Sequence, residues 1–238
     1  MFLYRPVGRK RVNVKDRTKS SDSLRGRVYE TLRSALRNGT LGSSRTATER
    51  DLAEQLGVSR TPVREALVLL MHEGLVSSTS RGFTPPELSP RDLAELFQIR
   101  RMLEPAALAT IIEHLSAHAL RMLRQSLKEQ EIADRAGDVD AFVTANSNFR
   151  AVWLGAVPNS QLRMLIERHD DHVHWLRQVT LHDTKVRKKA LSGLRNILTA
   201  LEAGSPSAAS AAMVAHVAAA EQALTAALEQ SRRERTAA

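Results

Sequence analysis

Over most of this chain apolar residues recur at intervals of three and four, the spacing that gives a helix one buried face. Leu24, Val28, Leu32 and Leu36 make the first such stripe, with Ser21 or Asp22 as its cap and Asn38-Gly39 as its end. A loop over residues 40–47 leads into two short stripes joined by Gly57-Val58-Ser59. The first puts Leu52, Ala53 and Leu56 on one face. The second takes Ser59 as N-cap and runs Val63, Ala66, Leu67 and Leu70. Glycine at the joint permits a sharp turn between them, which predicts a helix-turn-helix. The period then changes. Residues 75–84, LVSSTSRGFT, are polar and β-branched around a basic-glycine tip, and they predict a hairpin packed beside the second helix as a wing. Pro85-Pro86 stops the strand and marks a domain boundary.

Helical spacing returns at Ser89-Pro90, an N-cap followed by proline at the first helical position. Leu93, Leu96, Phe97, Ile99, Leu103 and Leu108 follow, with a kink expected at Pro105. Further helices are predicted over 117–136, 139–156, 159–180, 184–203 and 206–232, broken at Gly137-Asp138, Pro158-Asn159, Asp183 and Gly204-Ser205-Pro206. The alanine-rich stretch 208–227 keeps Met213, Val217 and Leu224 in step, as does Leu228 just beyond it, so it reads as a packed helix. The expected fold is mainly α. An arm (1–20) precedes a winged helix-turn-helix (21–86), and an antiparallel α-helical bundle (87–238) follows.

Composition sharpens this picture. Hydrophobic residues make up 42% of the 238 residues but aromatics only 4%, which favours aliphatic helices over sheets. There is no cysteine, so disulfide and thiolate chemistry are excluded. No apolar run approaches the ~20 residues needed to cross a bilayer, and the N-terminus lacks the apolar centre of a signal peptide. A cytoplasmic protein with no membrane partner is the expectation. The charge is uneven: residues 1–86 carry 16 Lys and Arg against 8 Asp and Glu, whereas residues 87–238 carry 19 against 18. Nearly all of the net +9 therefore sits with the helix-turn-helix, as a DNA-binding unit requires.

The candidate DNA contacts follow. Arg60 and Arg64 open the second helix one turn apart, clear of the apolar face, where such a helix meets base edges and phosphates. Arg81 at the wing tip suits a narrow minor groove. Arg5, Arg9, Lys10, Arg11, Lys15, Arg17 and Lys19, against the single acid Asp16, suit an arm lying along phosphates. The same segment is equally compatible with an unstructured tail or a start codon placed too early.

In the second half, His169-Asp170-Asp171-His172-Val173-His174 invites a metal reading. A solvated surface or a pocket lining is the plainer account. The run Lys185-Val186-Arg187-Lys188-Lys189 reads as a solvated helix start. Trp153 and Trp175 suit the core, or the wall of a hydrophobic cavity.

Taken together, LRGRVYETLRSALRNGTL, ERDLAEQLGVSRTPVREAL, EGLV and a glycine-tipped wing resemble the winged helix of GntR-family bacterial regulators. DLAELFQIRRMLEPAALA, AFVTANSNFRAVW and ILTALEAGSPSAASAAMVAHV are similar to the FadR-type subgroup with an FCD ligand-binding domain. The resemblance implies DNA contacts at Arg50, Arg60, Thr61, Arg64, Arg81 and Gly82. It also implies a homodimeric repressor on a pseudo-palindromic double-stranded DNA operator, released by a small-molecule effector. Two departures stand out. Gly42-Ser43-Ser44 replaces the family's Pro-Gly turn. The family's metal set of one Asp and three His becomes Asn146, Arg150, Leu194 and His216, which predicts no metal cofactor. Arg150, helped by Arg100, Arg101, Asn146 and His216, is then the expected partner of an anionic effector, unless it pairs with a carboxylate such as Glu104. The chain is expected not to be an enzyme. The alternatives are a dimeric DNA-binding protein that no longer senses a ligand and, more remotely, a metal-dependent hydrolase using the His169–His174 cluster.

Overall fold

The computed structural model describes residues 24–37, 46–84 and 89–236. The arm over 1–20, the Ser21 or Asp22 cap, Asn38-Gly39, the Gly42-Ser43-Ser44 turn, Pro85-Pro86 and the side chain of Trp175 lie outside the described parts. The chain forms two compact units, Met1–Leu88 and Ser89–Ala238.

In the first unit, α1 (Leu24–Arg37), α2 (Glu49–Leu56) and α3 (Arg60–His72) enclose a small aliphatic core. Val28, Leu32, Leu52, Val63, Ala66, Leu67 and Leu70 are fully or almost fully buried in it. Leu24 departs from the expected stripe: at the first residue of α1 it stays 41% exposed. Thr48 caps α2, its hydroxyl oxygen accepting from the Asp51 amide at 3.2 Å. Gly57 ends α2 at φ +66°, and the Val58 amide bonds back to the Ala53 carbonyl at 3.0 Å. That left-handed residue is what turns the chain sharply into α3.

The wing is the antiparallel pair β1 (Ser77–Thr79) and β2 (Gly82–Thr84), in register Ser77 with Thr84, Ser78 with Phe83 and Thr79 with Gly82. Ala47 adds a third backbone lane. Its amide donates to the Phe83 carbonyl at 3.0 Å, and its carbonyl accepts from the Phe83 amide at 2.9 Å.

The second unit is a helical bundle. Its helices are α4 (Pro90–Thr110), α5 (Ala117–Ala136), α6 (Val139–Gly155), α7 (Ser160–Glu167), α8 (Asp170–Thr180), α9 (Thr184–Glu202) and α10 (Pro206–Thr236), with a 3-10 turn at Ile112–His114. Helix α4 opens with a capping box between Ser89 and Asp92 and runs through Pro105. Helix α10 packs on α4 and α9, and α5 packs on α6 and α9. Phe97, Phe142, Phe149, Trp153, Ile197 and Met213 are core residues.

Three expectations are corrected here. The helix expected over 159–180 is two, because the chain leaves helical geometry at His169 (φ −101°, ψ 3°) and restarts with Asp170 and Asp171 in the first turn, where acids favour a helix start. Leu165, expected on the apolar face, is 53% exposed, while Ile166, Val173 and Leu176 are buried. The basic run at 185–189 is not uniformly solvated. Arg187 is buried and donates to Asp134 Oδ1 at 2.7 Å and to the Leu181 and His182 carbonyls at 2.9 and 3.0 Å, joining the α8–α9 turn to α5. Finally, Pro206–Gln230 is long and apolar enough, by length and composition, to cross a bilayer, with a mean hydropathy of 1.3. The expectation that no apolar run reaches that length is therefore corrected, and alanine supplies most of the apolarity. Its Ala209, Met213, Val217 and Leu224 are buried in the bundle.

Candidate nucleic-acid interface and effector cavity

On the helix-turn-helix, Arg50 near the start of α2 and Arg60, Thr61 and Arg64 on the first turns of α3 are all exposed. Burial of Pro62, Val63, Ala66 and Leu67 on the opposite face forces this orientation. Arg64 is not a loose side chain. Its Nε donates to Glu49 Oε1 at 3.0 Å and its Nη2 to Glu49 Oε2 at 2.9 Å. The arginine's hydrogen bonds, foremost, hold the Glu49 carboxyl below its ordinary range. Arg81 is exposed at the wing turn, its amide donating to Thr79 Oγ1 at 3.3 Å. Gly82 has a structural role: it adopts φ +129°, and a Cβ built there would lie 2.6 Å from the Ala47 carbonyl oxygen.

In the bundle, a charged network joins α4, α6 and α8. Glu104 is fully buried, accepting from Arg100 Nε at 2.8 Å and pairing with Arg150 Nη1 at 3.1 Å. Burial alone would push its carboxyl up, but Arg100 and Arg150 outweigh burial and hold it down at about 2. Arg150 also donates from Nε to Asp170 Oδ1 at 2.8 Å and lies over the Trp153 ring at 5.4 Å. Its Nη2 is buried without a hydrogen-bond partner among the described residues. A chain of hydrogen bonds through side-chain amides runs alongside. Arg177 Nε donates to Asn146 Oδ1 at 2.6 Å, Asn146 Nδ2 to Gln130 Oε1 at 3.0 Å, and Gln130 Nε2 to the Ser126 carbonyl at 3.2 Å.

Next to this network lies a cavity of about 70 Å³, whose polar lining is Arg100, Asn146, Arg177, Thr180, Lys189 and His216. The rest of the wall is apolar, with Val173, Leu176 and three alanines of α10 (Ala219, Ala220 and Ala223). Among the described residues no carboxylate lines it. Three arginines meet two carboxylates around it, and the unmatched charge falls on Arg177, which has no ion pair among the described residues. Burial, then Arg150 and Arg100, push the Arg177 guanidinium well below its ordinary range. Burial, then Arg100, lower His216 to about 4, so it is a neutral imidazole at physiological pH. Gly193 brings α9 close here, since a Cβ on it would lie 2.6 Å from His216 Nδ1.

Of the five residues expected to meet an effector, Arg100, Asn146 and His216 line the cavity. Arg150 stands behind it, in the carboxylate-paired arrangement that was the alternative from sequence. Arg101 is exposed and pairs with Glu221. Arg177 and Lys189 are additions: no local motif marks Arg177, and Lys189 belongs to the basic run that reads from sequence as a solvated helix start. The family's metal set does not fit these side chains: Asn146 is engaged on both sides of its amide, Arg150 is a cation, Leu194 is apolar and His216 stands alone. Among the described residues no three His, Asp or Glu groups gather to hold a metal ion. In the His169–His174 stretch, His169 and His172 have ring centroids 6.5 Å apart. Asp171 and His174 are buried rather than solvated.

Comparison with known proteins identifies both units. The chain matches the family "Bacterial regulatory proteins, gntR family" over residues 24–84 and the FCD domain over residues 95–219. It is 32% identical over 151 residues to the HTH-type transcriptional regulator YdhC of Bacillus subtilis, covering 63% of this chain and 67% of that one. To the HTH-type transcriptional regulator McbR of Escherichia coli it is 36% identical over 129 residues, 54% of this chain and 58% of McbR. The solved structure of E. coli McbR/YncC superposes with a TM-score of 0.69 at 27% identity, over 88% of this chain and 99% of that one. Family members are transcriptional regulators, not enzymes. A winged helix-turn-helix followed by a helical effector domain, matched by both family assignments, makes this chain a DNA-binding transcriptional regulator of the GntR family, in its FadR-type, FCD-containing subgroup.

Proposed function

We propose that the protein binds a pseudo-palindromic operator as a homodimer, represses from it, and leaves it when a small anion enters the bundle cavity. In this reading residues 21–86 bind DNA, residues 87–238 bind the effector and dimerise, and the basic arm over 1–20 adds phosphate contacts. Arg60, Arg64 and Thr61 meet the major groove, Arg50 meets phosphate, and Arg81 with Gly82 meets the minor groove. Arg60→Ala is expected to lose ~1–3 kcal/mol of discrimination at one base pair per half-site. Binding of operator variants by fluorescence anisotropy checks this, and identical rankings for parent and variant would remove Arg60 from base readout.

One observation carries the effector reading: among the described residues the cavity is lined by Arg100, Arg177 and Lys189 and by no carboxylate. Arg177 is the anchor. Its partner is a neutral amide oxygen, and an incoming anion would offset the repulsion that Arg150 and Arg100 exert on it. Arg150, matched by Glu104 and Asp170, holds the wall in shape. The volume favours a compact carboxylate or phosphate over a long acyl chain.

The test is thermal melting of the full chain with inorganic phosphate and a panel of short carboxylates, alongside release from DNA. Native mass spectrometry of the same samples reads the dimer. An anion that stabilises the parent is expected to bind Arg177→Met about tenfold to a hundredfold more weakly, the range of a charged hydrogen bond. The ligand-free variant is expected to melt no lower than the parent. Equal stabilisation of parent and variant would sink the anchor assignment.

A further inference from the structure

The paired guanidinium of Arg64 holds more information than its exposure. An arginine has five N–H donors in a planar fork. Glu49 meets that fork from the side, through Nε at 3.0 Å and Nη2 at 2.9 Å. This leaves both hydrogens of Nη1 and one of Nη2, the end-on pair whose spacing matches O6 and N7 of a guanine. The carboxylate is well placed for this task. Glu49 is the first residue of α2, fixed by the Thr48 cap, and its side chain is only 24% exposed, whereas that of Arg64 is 65% exposed. Stability does not account for the pair, since an ion pair this open to water contributes little. A carboxylate beside a DNA-reading cation also repels phosphate, so it lowers sequence-independent affinity. What it supplies is orientation.

We infer that Glu49 is a specificity-determining positioning residue: it clamps Arg64 side-on, so that its free end reads one guanine in each operator half-site. This rests on the reading of Arg64 as a base contact. Without the clamp, the guanidinium swings among phosphate oxygens and base acceptors, and guanine loses its advantage while general attraction to DNA remains. Loss of specificity and loss of affinity therefore part company, with opposite signs at one residue.

The experiment is selection from a random-sequence duplex pool by the full-length parent, Glu49→Gln and Arg64→Ala, with binding to a scrambled duplex measured beside it. The parent is expected to enrich guanine at one position per half-site, and Arg64→Ala to lose it. Glu49→Gln is expected to cut the guanine preference at that same position about tenfold, leave the other positions in order, and bind the scrambled duplex as tightly as the parent or more tightly. An unchanged guanine preference in Glu49→Gln, with Arg64→Ala losing it, overturns the clamp and leaves the base contact standing. Parallel loss on selected and scrambled duplexes makes Glu49 a folding residue and also overturns the clamp. Guanine preference surviving Arg64→Ala removes the base contact itself, and the inference with it.

Discussion

Glu104→Gln is expected to destabilise the C-terminal unit by roughly 3–5 kcal/mol, the effect of removing one partner from a buried ion pair. Glu104 is 1% exposed and joins Arg100 to Arg150, themselves 5% and 6% exposed. The amide keeps the shape but withdraws the charge, leaving Arg100 without its carboxylate and Arg150 with Asp170. The pH dependence follows from the direction of the shift. The carboxyl is held at about 2 in the folded chain, against an ordinary value of 4.5. Its stabilisation is therefore complete above about pH 4.5 and is lost as the pH falls toward 2. Denaturant melts of parent and variant should show a wide gap at pH 7 that closes through this acid window. A gap below 1 kcal/mol at pH 7 would mean that water or a rearranged partner already screens the cluster.

Gly82→Ala is expected to destabilise the N-terminal unit by on the order of 2–3 kcal/mol and to detach the wing. Two separate obstacles add. A φ of +129° is a conformation that side-chain-bearing residues rarely adopt, and the new methyl would stand 2.6 Å from a backbone oxygen of Ala47. That oxygen accepts the Phe83 amide, so relief of the clash breaks the bridge between the lead-in to α2 and the wing. Gly57→Ala is the natural control. It also sits at positive φ, but nothing lies within 4 Å of the added carbon, so only about 1 kcal/mol of conformational strain is expected. Hydrogen exchange at the Phe83 amide separates the two: fast in Gly82→Ala, protected in Gly57→Ala. Comparable protection in both variants would show that the wing does not depend on this contact.

Much of the fold is legible because period and punctuation agree. Gly57, Ser59 and the stripe Val63, Ala66, Leu67, Leu70 mark the helix-turn-helix, and Ser89-Pro90 marks the start of α4. The break at His169 is not legible, because apolar spacing continues through Ile166, Val173 and Leu176 and only backbone geometry reveals two helices. The effector site divides in the same way. Asn146, Arg150, Leu194 and His216 stand out as departures from a family pattern, so sequence leads to α6, α9 and α10. Arg177 belongs to no motif. Its meaning arises from Glu104 and Asp170 being taken by other arginines, and such bookkeeping of charge exists only once helices distant in the chain are side by side. Gly82 shows the opposite limit: sequence marks the residue at the wing tip, but the approach of Ala47 that requires it is a tertiary fact.

The alanines of α10 have a thermodynamic consequence. Ala219, Ala220 and Ala223 have no side-chain rotamers, so that wall has nothing to freeze when the cavity fills. Around the cavity, Arg177 is tied to Asn146, and Arg100 to Glu104, before any occupant arrives. Most of the ordering that recognition ordinarily demands has thus been completed during folding. Occupancy should then draw its side-chain entropy cost chiefly from Lys189, the exposed cation of the lining.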